Sequence, residues 1–501
     1  MPYQCSVNTE RKVNMNWIIT ENNKKFDALS IPIVSIDEIK ADFEKMKMRL
    51  IGFFGKQEFE HVRLYVILAD DKVGKFYVTS AVFPPEVKSY ESFTQKFPSF
   101  HIFEREFYEE FGIEPLNHPW LKPVRKNQDE YPFFEMRGDE VHQVAVGPIH
   151  AGVIEPGHFR FMCHGEKVYD LEIMLGYQHR GVEEIFLKNK AFNNRLAESV
   201  CGDSVIAYNM AYSQAMEALC DAKISNKAQI IRRIALEMER MAIHIGDLGA
   251  IAGDTAYLMG ASIFGITRTL VINTMLEICG SRFGRGLIDV GGVNFDIDKN
   301  MSEKIIKMLD EVSKTVDRTT KVMLKSPTVI SRLERTGVVS SENAKVLGAV
   351  GMAARASGVD IDSRFDFNDK WYTSLDVVKP FKATGDVHSR FKLRYKEIKQ
   401  SMQIVKKLLK KLEDYNNESL KTVCKPQLST NSIVISVAEG WRGEVVHVAI
   451  TGANGELLRY KMKDPSFNNW YMLAIAVRNN GVSDFPLCNK SFNLSYCGND
   501  L

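Results

Sequence analysis

SVCGDSVIAYNMAYSQAMEAL, residues 199–219, opens on Cys201-Gly-Asp-Ser204 and runs directly into a long helical pattern. A Cys-Gly-x-Cys at a helix start would offer two thiolates to one metal ion. Here the second sulfur position is Ser204. A soft metal bridged by thiolates needs several sulfurs converging, and Cys201 supplies one. Taken alone, Cys201 reads as a small buried apolar side chain at the head of a helix.

The helical period continues downstream. It covers roughly 227–252 and 257–280. Over 301–324 it places Ile305, Leu309, Val312, Val316 and Met323 on one stripe, and over 388–414 it does the same with Tyr395, Ile398, Met402, Val405, Leu409 and Leu412. Upstream, 36–54 has apolar residues at helical spacing. Residues 61–71 and 75–84 read as strands around an Asp-Asp turn, and 103–115 as a short helix stopped at Gly112. Residues 144–161 read as strand–turn–strand. The chain returns to strands at 432–440 and 444–452, where Asn454-Gly455 marks a hairpin-like turn. The predicted fold class is α+β: a small α+β domain over 1–125, a linker without periodicity over 126–142, and a large, mainly helical domain with peripheral strands over 143–501.

Bulk properties narrow the function. The 501 residues are 45% hydrophobic and 26% charged, with a formal net charge of +2, so no global field draws the chain to nucleic acid. The N-terminus carries charges before any apolar stretch forms, which is not a secretory pattern. The apolar tract 250–280 is broken by Asp254, Arg268 and Glu277 and reads as a buried helix rather than a span. Eight cysteines (Cys5, Cys163, Cys201, Cys220, Cys279, Cys424, Cys488 and Cys497) include no CxxC. That fits a reducing compartment and argues against a zinc ribbon or an iron–sulfur cluster carried by this chain.

Several polar residues stand out against this background. Glu155, between Ile154 and Pro156, is a carboxylate in an apolar bend, suited to passing protons if burial raises its pKa. Glu237, Glu239, Arg240 and His244 lie on one helical segment, with Arg240 and His244 sharing a face. Asp254 sits among small and apolar residues and needs a partner. Arg442, between Trp441 and Gly443, is placed to reach into a cavity. The basic run 391–414 reads as a solvated helix face.

Taken in order, these stretches resemble a known family. FEREFYEEFG followed by HPW resembles the 30-kDa-type subunit of respiratory complex I. GPIHAGVIEPGHFRF, YQHRGVEEIF, ERMAIH, GSRFGRGLIDVGGV, RASGVDIDSR and KDPSFNNW resemble the 49-kDa-type subunit. They resemble still more closely the large subunits of group 4 [NiFe]-hydrogenases, such as that of formate hydrogenlyase, where the two parts are fused in this order. The resemblance spans roughly 40–501.

In those hydrogenases two Cys-x-x-Cys pairs hold nickel and iron. The resemblance places the four positions at Cys201, Ser204, Ser495 and Gly498, with Cys497 between the last two and out of register. One thiolate of four remains, so a NiFe centre is expected to be absent, with no cofactor held by this chain. The complex I quinone partners are not matched either. The positions of its quinone histidine and tyrosine fall on Ile154 and Gly202, and that of a histidine near the terminal cluster on Gly284. What the resemblance retains is Glu155 as a proton-transfer glutamate, Asp254 as the aspartate beside the quinone histidine, Arg442 over the active site, and Arg180 near a partner's cluster, with His244 taken to face the same cluster.

It therefore implies a NiFe-less large subunit, peripheral on the cytoplasmic face of the cell membrane. Its partners would be a small [4Fe-4S] subunit and integral membrane subunits that move protons or ions. A non-catalytic scaffold is the first alternative. The second is a hydrogenase or NADH–quinone oxidoreductase subunit with an atypical site. No glycine-rich dinucleotide loop follows a strand, so NAD would have to bind another subunit.

Overall fold

The computed structural model describes residues 16–126, 131–149, 155–189 and 191–501. Cys5 and Ile154 lie outside them. The described structure mixes helix and strand, 46% and 19%. The first sheet is antiparallel, in the order Ile18–Thr20, Lys75–Phe83, His61–Asp70, Arg49–Glu58. Its strands are buried on both faces. Phe53, Leu64, Val66 and Leu68 point to one side, into a core with Ile39, Phe100 and Phe107 from the helices Ile36–Met46 and His101–Phe111. Phe54, Tyr65, Ile67 and Val78 alternate to the other side.

That second side meets another sheet, Leu457–Lys463, Glu444–Thr451, Ser432–Glu439 and Phe26–Asp27, through Ile433, Ile435, Val437, Val446, Val448 and Ile450. The short strand Phe26–Asp27 pairs with Ser432–Glu439, so segments more than 400 residues apart share one sheet. The far face of this sheet, with Val434, Ala438, Val445 and Ala449, enters the main helical core.

The helix Val205–Leu219 lies against Ser432–Glu439 and Glu444–Thr451 and is buried almost all round. Beside it, Asn226–Asp254, Leu258–Cys279, Lys299–Met323 and Val387–Leu412 close a ring of four long helices, each touching the next. Glu239, on Asn226–Asp254, reaches back and accepts the Ile206 and Ala207 amides at 2.7 and 3.4 Å. It thereby satisfies the first turn of Val205–Leu219, whose N-cap Ser204 makes no capping bond.

Three readings are corrected. The helix expected over 36–54 ends at Met46, with Lys47 in the left-handed region, and Arg49–Glu58 is a strand. The Ser35/Glu38 capping box starts the helix, but Leu50, Ile51, Phe53 and Phe54 are sorted to two faces by strand pairing with His61–Asp70. The basic run 391–414 is only partly a solvated face. Arg394 and Glu397 are wholly buried there, while Lys406, Lys407 and Lys410 are exposed. Leu258–Cys279 is not buried all round. It packs on Asn226–Asp254 and Lys299–Met323, yet Leu258 and Ile266 are 70% and 69% exposed. Among the described residues it is the one helix long and apolar enough to cross a membrane by length and composition.

Candidate functional site

Cys201 lies in the short segment between the helices Asn194–Ser199 and Val205–Leu219, at 2% exposure. Ser495 and Gly498 come to it from the chain's last helix, Tyr496–Asp500. The Ser495 hydroxyl accepts the Gly498 amide at 2.9 Å and caps that helix. The same hydroxyl contacts the Cys201 thiol at 3.2 Å and the Cys497 thiol at 3.5 Å. The Cys201 thiol donates to Asp203 Oδ1 at 3.1 Å. Its pKa is pushed well up, first by its hydrogen bond with Cys497, then by burial and by the Asp203 charge.

Arg442 closes the cluster from above. It grips Asp203 with two bonds of 2.6 and 2.9 Å, and its Nη1 lies 3.4 Å from both Cys201 Sγ and Ser204 Oγ. Its guanidinium stacks on Trp441, 3.8 Å from the ring centre. Trp441 in turn donates to the Asp203 carbonyl at 2.8 Å. Burial alone would raise the Asp203 carboxyl, but Arg442 more than offsets that and holds it low. Glu155 accepts the Cys497 amide at 2.9 Å.

The donor set does not fit a metal bridged by several thiolates. The four positions carry one thiol, two hydroxyls and a glycine. A Cβ at Gly498 would stand 2.5 Å from Asp464 Oδ2 and 2.8 Å from Ser495 Oγ, so the side chains around it have closed over the space a cysteine would use. Gly284 is filled in the same manner: a Cβ there would meet Ile206 Cδ1 at 2.5 Å. Gly202 is open, with nothing within 4 Å of such a Cβ.

From Arg442 a chain of buried charge runs inward. Arg442 Nε donates to the Asn493 carbonyl, and the Asn493 amide donates to Asp247 at 2.7 Å. Arg394 pairs with Asp247 at 2.5 Å and reaches His244 Nδ1 at 2.9 Å. The other ring nitrogen of His244 meets Glu397 at 2.9 Å. Glu397 is bound by Arg355, which also holds Glu439 at 2.8 Å. Arg240 lies 3.6 Å from Glu397 and 3.3 Å from Glu237, and Arg364 ties Glu237 to Asp362. Burial pushes Glu397 upward, but Arg355 and then His244 more than offset it, so it stays well below the usual carboxylate range. Asp362 is held at about 2, burial being outweighed by Arg364 and Arg355. The chain ends at the surface: the Asp362 amide donates to Asp366, which pairs with Lys379, itself 3.6 Å from exposed Asp360.

The structure thus brings Glu155, Cys201, Ser204, Arg442, Ser495, Cys497 and Gly498 together and links Arg240, His244 and Glu237 to them. His244 is at 0% exposure between Arg394 and Glu397, because the Val387–Leu412 helix covers its face. It does not present itself to a partner. Arg180 is on the surface, where it donates to the Ser199 and Val200 carbonyls just ahead of Cys201. Asp254 stands apart at the C-terminal end of Asn226–Asp254. Burial raises its carboxyl, and its Oδ2 has no hydrogen-bond partner. Asp203, Asp247, Arg355, Arg394 and Glu397 escaped the sequence reading. The signal that could have found them was period: Arg390, Arg394, Glu397 and Ser401 recur on the core-facing stripe of their helix.

Comparison with known proteins gives the family. Residues 254–500 match the model of the 49 Kd subunit of respiratory-chain NADH dehydrogenase, and residues 21–140 that of its 30 Kd subunit. The membrane-bound hydrogenase subunit alpha of Pyrococcus furiosus is 30% identical over 367 residues, 70% of this chain and 85% of that protein. The chain belongs to the large-subunit family of complex I and the group 4 hydrogenases. Within that family, formate hydrogenlyase subunit 5 of Escherichia coli is 28% identical over 474 residues, covering 88% and 82% of the two chains. An NADH-quinone oxidoreductase subunit of Helicobacter hepaticus is 27% identical over 407 residues, 76% of this chain and 98% of that one. The fold is shared with a chain in the structure of the membrane-bound sulfane sulfur reductase, an archaeal respiratory membrane complex. There the TM-score is 0.67 at 20% identity, over 72% of this chain and 99% of that one.

Proposed function

We propose that this chain is the large subunit of a membrane-associated, complex I-like redox complex that works without a NiFe centre. The observation that carries the reading is the cluster of Cys201, Ser204, Ser495 and Gly498, where hydroxyls and a glycine stand in the place of converging thiolates. Its partners are a small subunit bearing a [4Fe-4S] cluster, docked on the surface that carries Arg180, and integral membrane subunits that move protons or ions. The chain sits peripherally on the cytoplasmic face of the membrane. Reduction of the partner's cluster changes the field at Arg442 and Asp203. The buried chain through Asp247, His244, Glu397 and Arg355 converts that change into proton or side-chain shifts, with Glu155 exchanging protons beside Cys497.

Two measurements on the complex purified with its partners test this. Elemental mass spectrometry is expected to find nickel near zero; stoichiometric nickel would restore the hydrogenase reading. Glu155→Gln is expected to keep the complex assembled while abolishing ion transport coupled to electron flow. Undiminished transport would remove the relay and leave a scaffold.

A further inference from the structure

Two sulfurs stand in this cluster. Cys201 Sγ and Cys497 Sγ both contact one hydroxyl, at 3.2 and 3.5 Å from Ser495 Oγ. They come from segments 296 residues apart, brought together by the last helix of the chain. Cys497 is half-buried and stands at the side where Glu155 holds its amide. Cys201 is buried, with its S–H on Asp203 and the Arg442 guanidinium 3.4 Å from its sulfur. One thiol is thus placed to meet a reagent and the other to follow it, with a cation beside the sulfur that must ionise second.

We propose that Cys201 and Cys497 form a reversible disulfide, making the cluster a dithiol/disulfide centre that exchanges with small-molecule disulfides. Cys497 Sγ attacks one sulfur of the incoming RSSR, giving a mixed disulfide and one RSH, which carries away the Cys497 proton. Cys201 Sγ then attacks Cys497 Sγ and displaces the second thiol, which leaves with the Cys201 proton. The dithiol loses two electrons and two protons and RSSR gains them. Arg442 stabilises the Cys201 thiolate as it forms, and Ser495 keeps both sulfurs in reach of each other. The proposal rests on the reading that no metal claims Cys201.

A second neighbouring pair, Cys220 and Cys424, has no such setting. Its thiols donate to the backbone carbonyls of Glu217 and Thr422. A count of blocked thiols would not separate the two pairs, so the readout is the linked peptide itself.

The purified complex is incubated with oxidised glutathione, denatured, alkylated and digested. Peptide mass spectrometry is expected to find the Cys201 and Cys497 peptides joined, two hydrogens lighter than their sum, and separated again by dithiothreitol. In Cys201→Ser the resolving sulfur is gone. Glutathione then accumulates on Cys497 about tenfold or more above wild type, because the intramolecular step no longer removes it. Both peptides recovered unlinked from wild type, or equal glutathione on Cys497 in wild type and variant, would overturn the proposal. Nickel is measured on the same sample. Stoichiometric nickel overturns this inference together with the functional reading; a nickel-free sample without the link overturns this inference alone.

Discussion

At the scale of single residues, Glu239 shows how one carboxyl serves a fold and loads it. It caps a neighbouring helix from the side, and burial raises its pKa to about 8, with Asp203 adding to the rise. A group whose folded pKa lies above its unfolded one binds more protons in the native state. The stability that this proton contributes is whole below the unfolded value near 4.5 and is lost as pH climbs to about 8. Glu239→Gln keeps an oxygen for the Ile206 amide and needs no proton. The melting temperature of the variant is therefore expected to match wild type near pH 5 and to exceed it increasingly up to about pH 8, with no further gain above. A constant difference across that range would mean that the carboxyl is already ionised in the fold at neutral pH.

At the scale of elements, the seam between Asn226–Asp254 and Val387–Leu412 is lined by Arg240, His244, Arg394 and Glu397 rather than by aliphatic side chains alone. Arg355 enters it from the short helix Gly351–Ala356 and satisfies Glu397 and Glu439 together. Arg355→Met takes from Glu439 its ion-pair partner and leaves Glu397 only His244 and the more distant Arg240, a change that costs about 3–5 kcal/mol. The melting temperature of the assembled complex is expected to fall by several degrees. A shift of a degree or less would show that water or a rearranged Arg240 takes over the pairing.

This seam also marks how far the sequence could be read. The long helices were legible because Ile305, Leu309 and Val312, or Ile398, Met402 and Val405, repeat at the helical period and fall on the buried stripe. Their charged companions on that stripe were not, because a lysine-rich helix hides Arg394 and Glu397 among solvated residues of the same type. Arg49–Glu58 misled for a different reason. A strand buried on both faces has a continuous apolar run, and 36–54 as a unit fits the helical period as well. In the site, Ser204, Ser495 and Gly498 could be read directly at the positions where the resemblance implies thiolates. That Cys497 turns back towards Cys201 could not be read, since its position out of register says nothing about which way its sulfur points.

At the scale of the whole molecule, the two matched regions are held by sheet-to-sheet packing rather than by a flexible joint. Ile433, Ile435, Val437, Val446, Val448 and Ile450 lose contact with water only when Phe54, Tyr65, Ile67 and Val78 cover them. Burying six such side chains contributes on the order of 10 kcal/mol, comparable to the net stability of a domain. The layer is also keyed by charge: Arg49 from the first sheet pairs with Glu444 of the second at 2.6 Å, and Lys463 shares the same carboxylate. Burial pushes Glu444 up, but these two cations pull it to about 2, so the key is ionised across the working pH range. Residues 143–501 produced alone would expose that apolar face and leave Glu444 and Lys463 without Arg49. They are expected to precipitate, and to become soluble when residues 1–125 are co-produced as a separate chain that co-purifies with them. A fragment 143–501 that stays monodisperse, with native-like near-ultraviolet circular dichroism, would mean that the helical core holds the second sheet without its cover. The relay through Glu439, which lies on that sheet, would then be independent of the N-terminal layer.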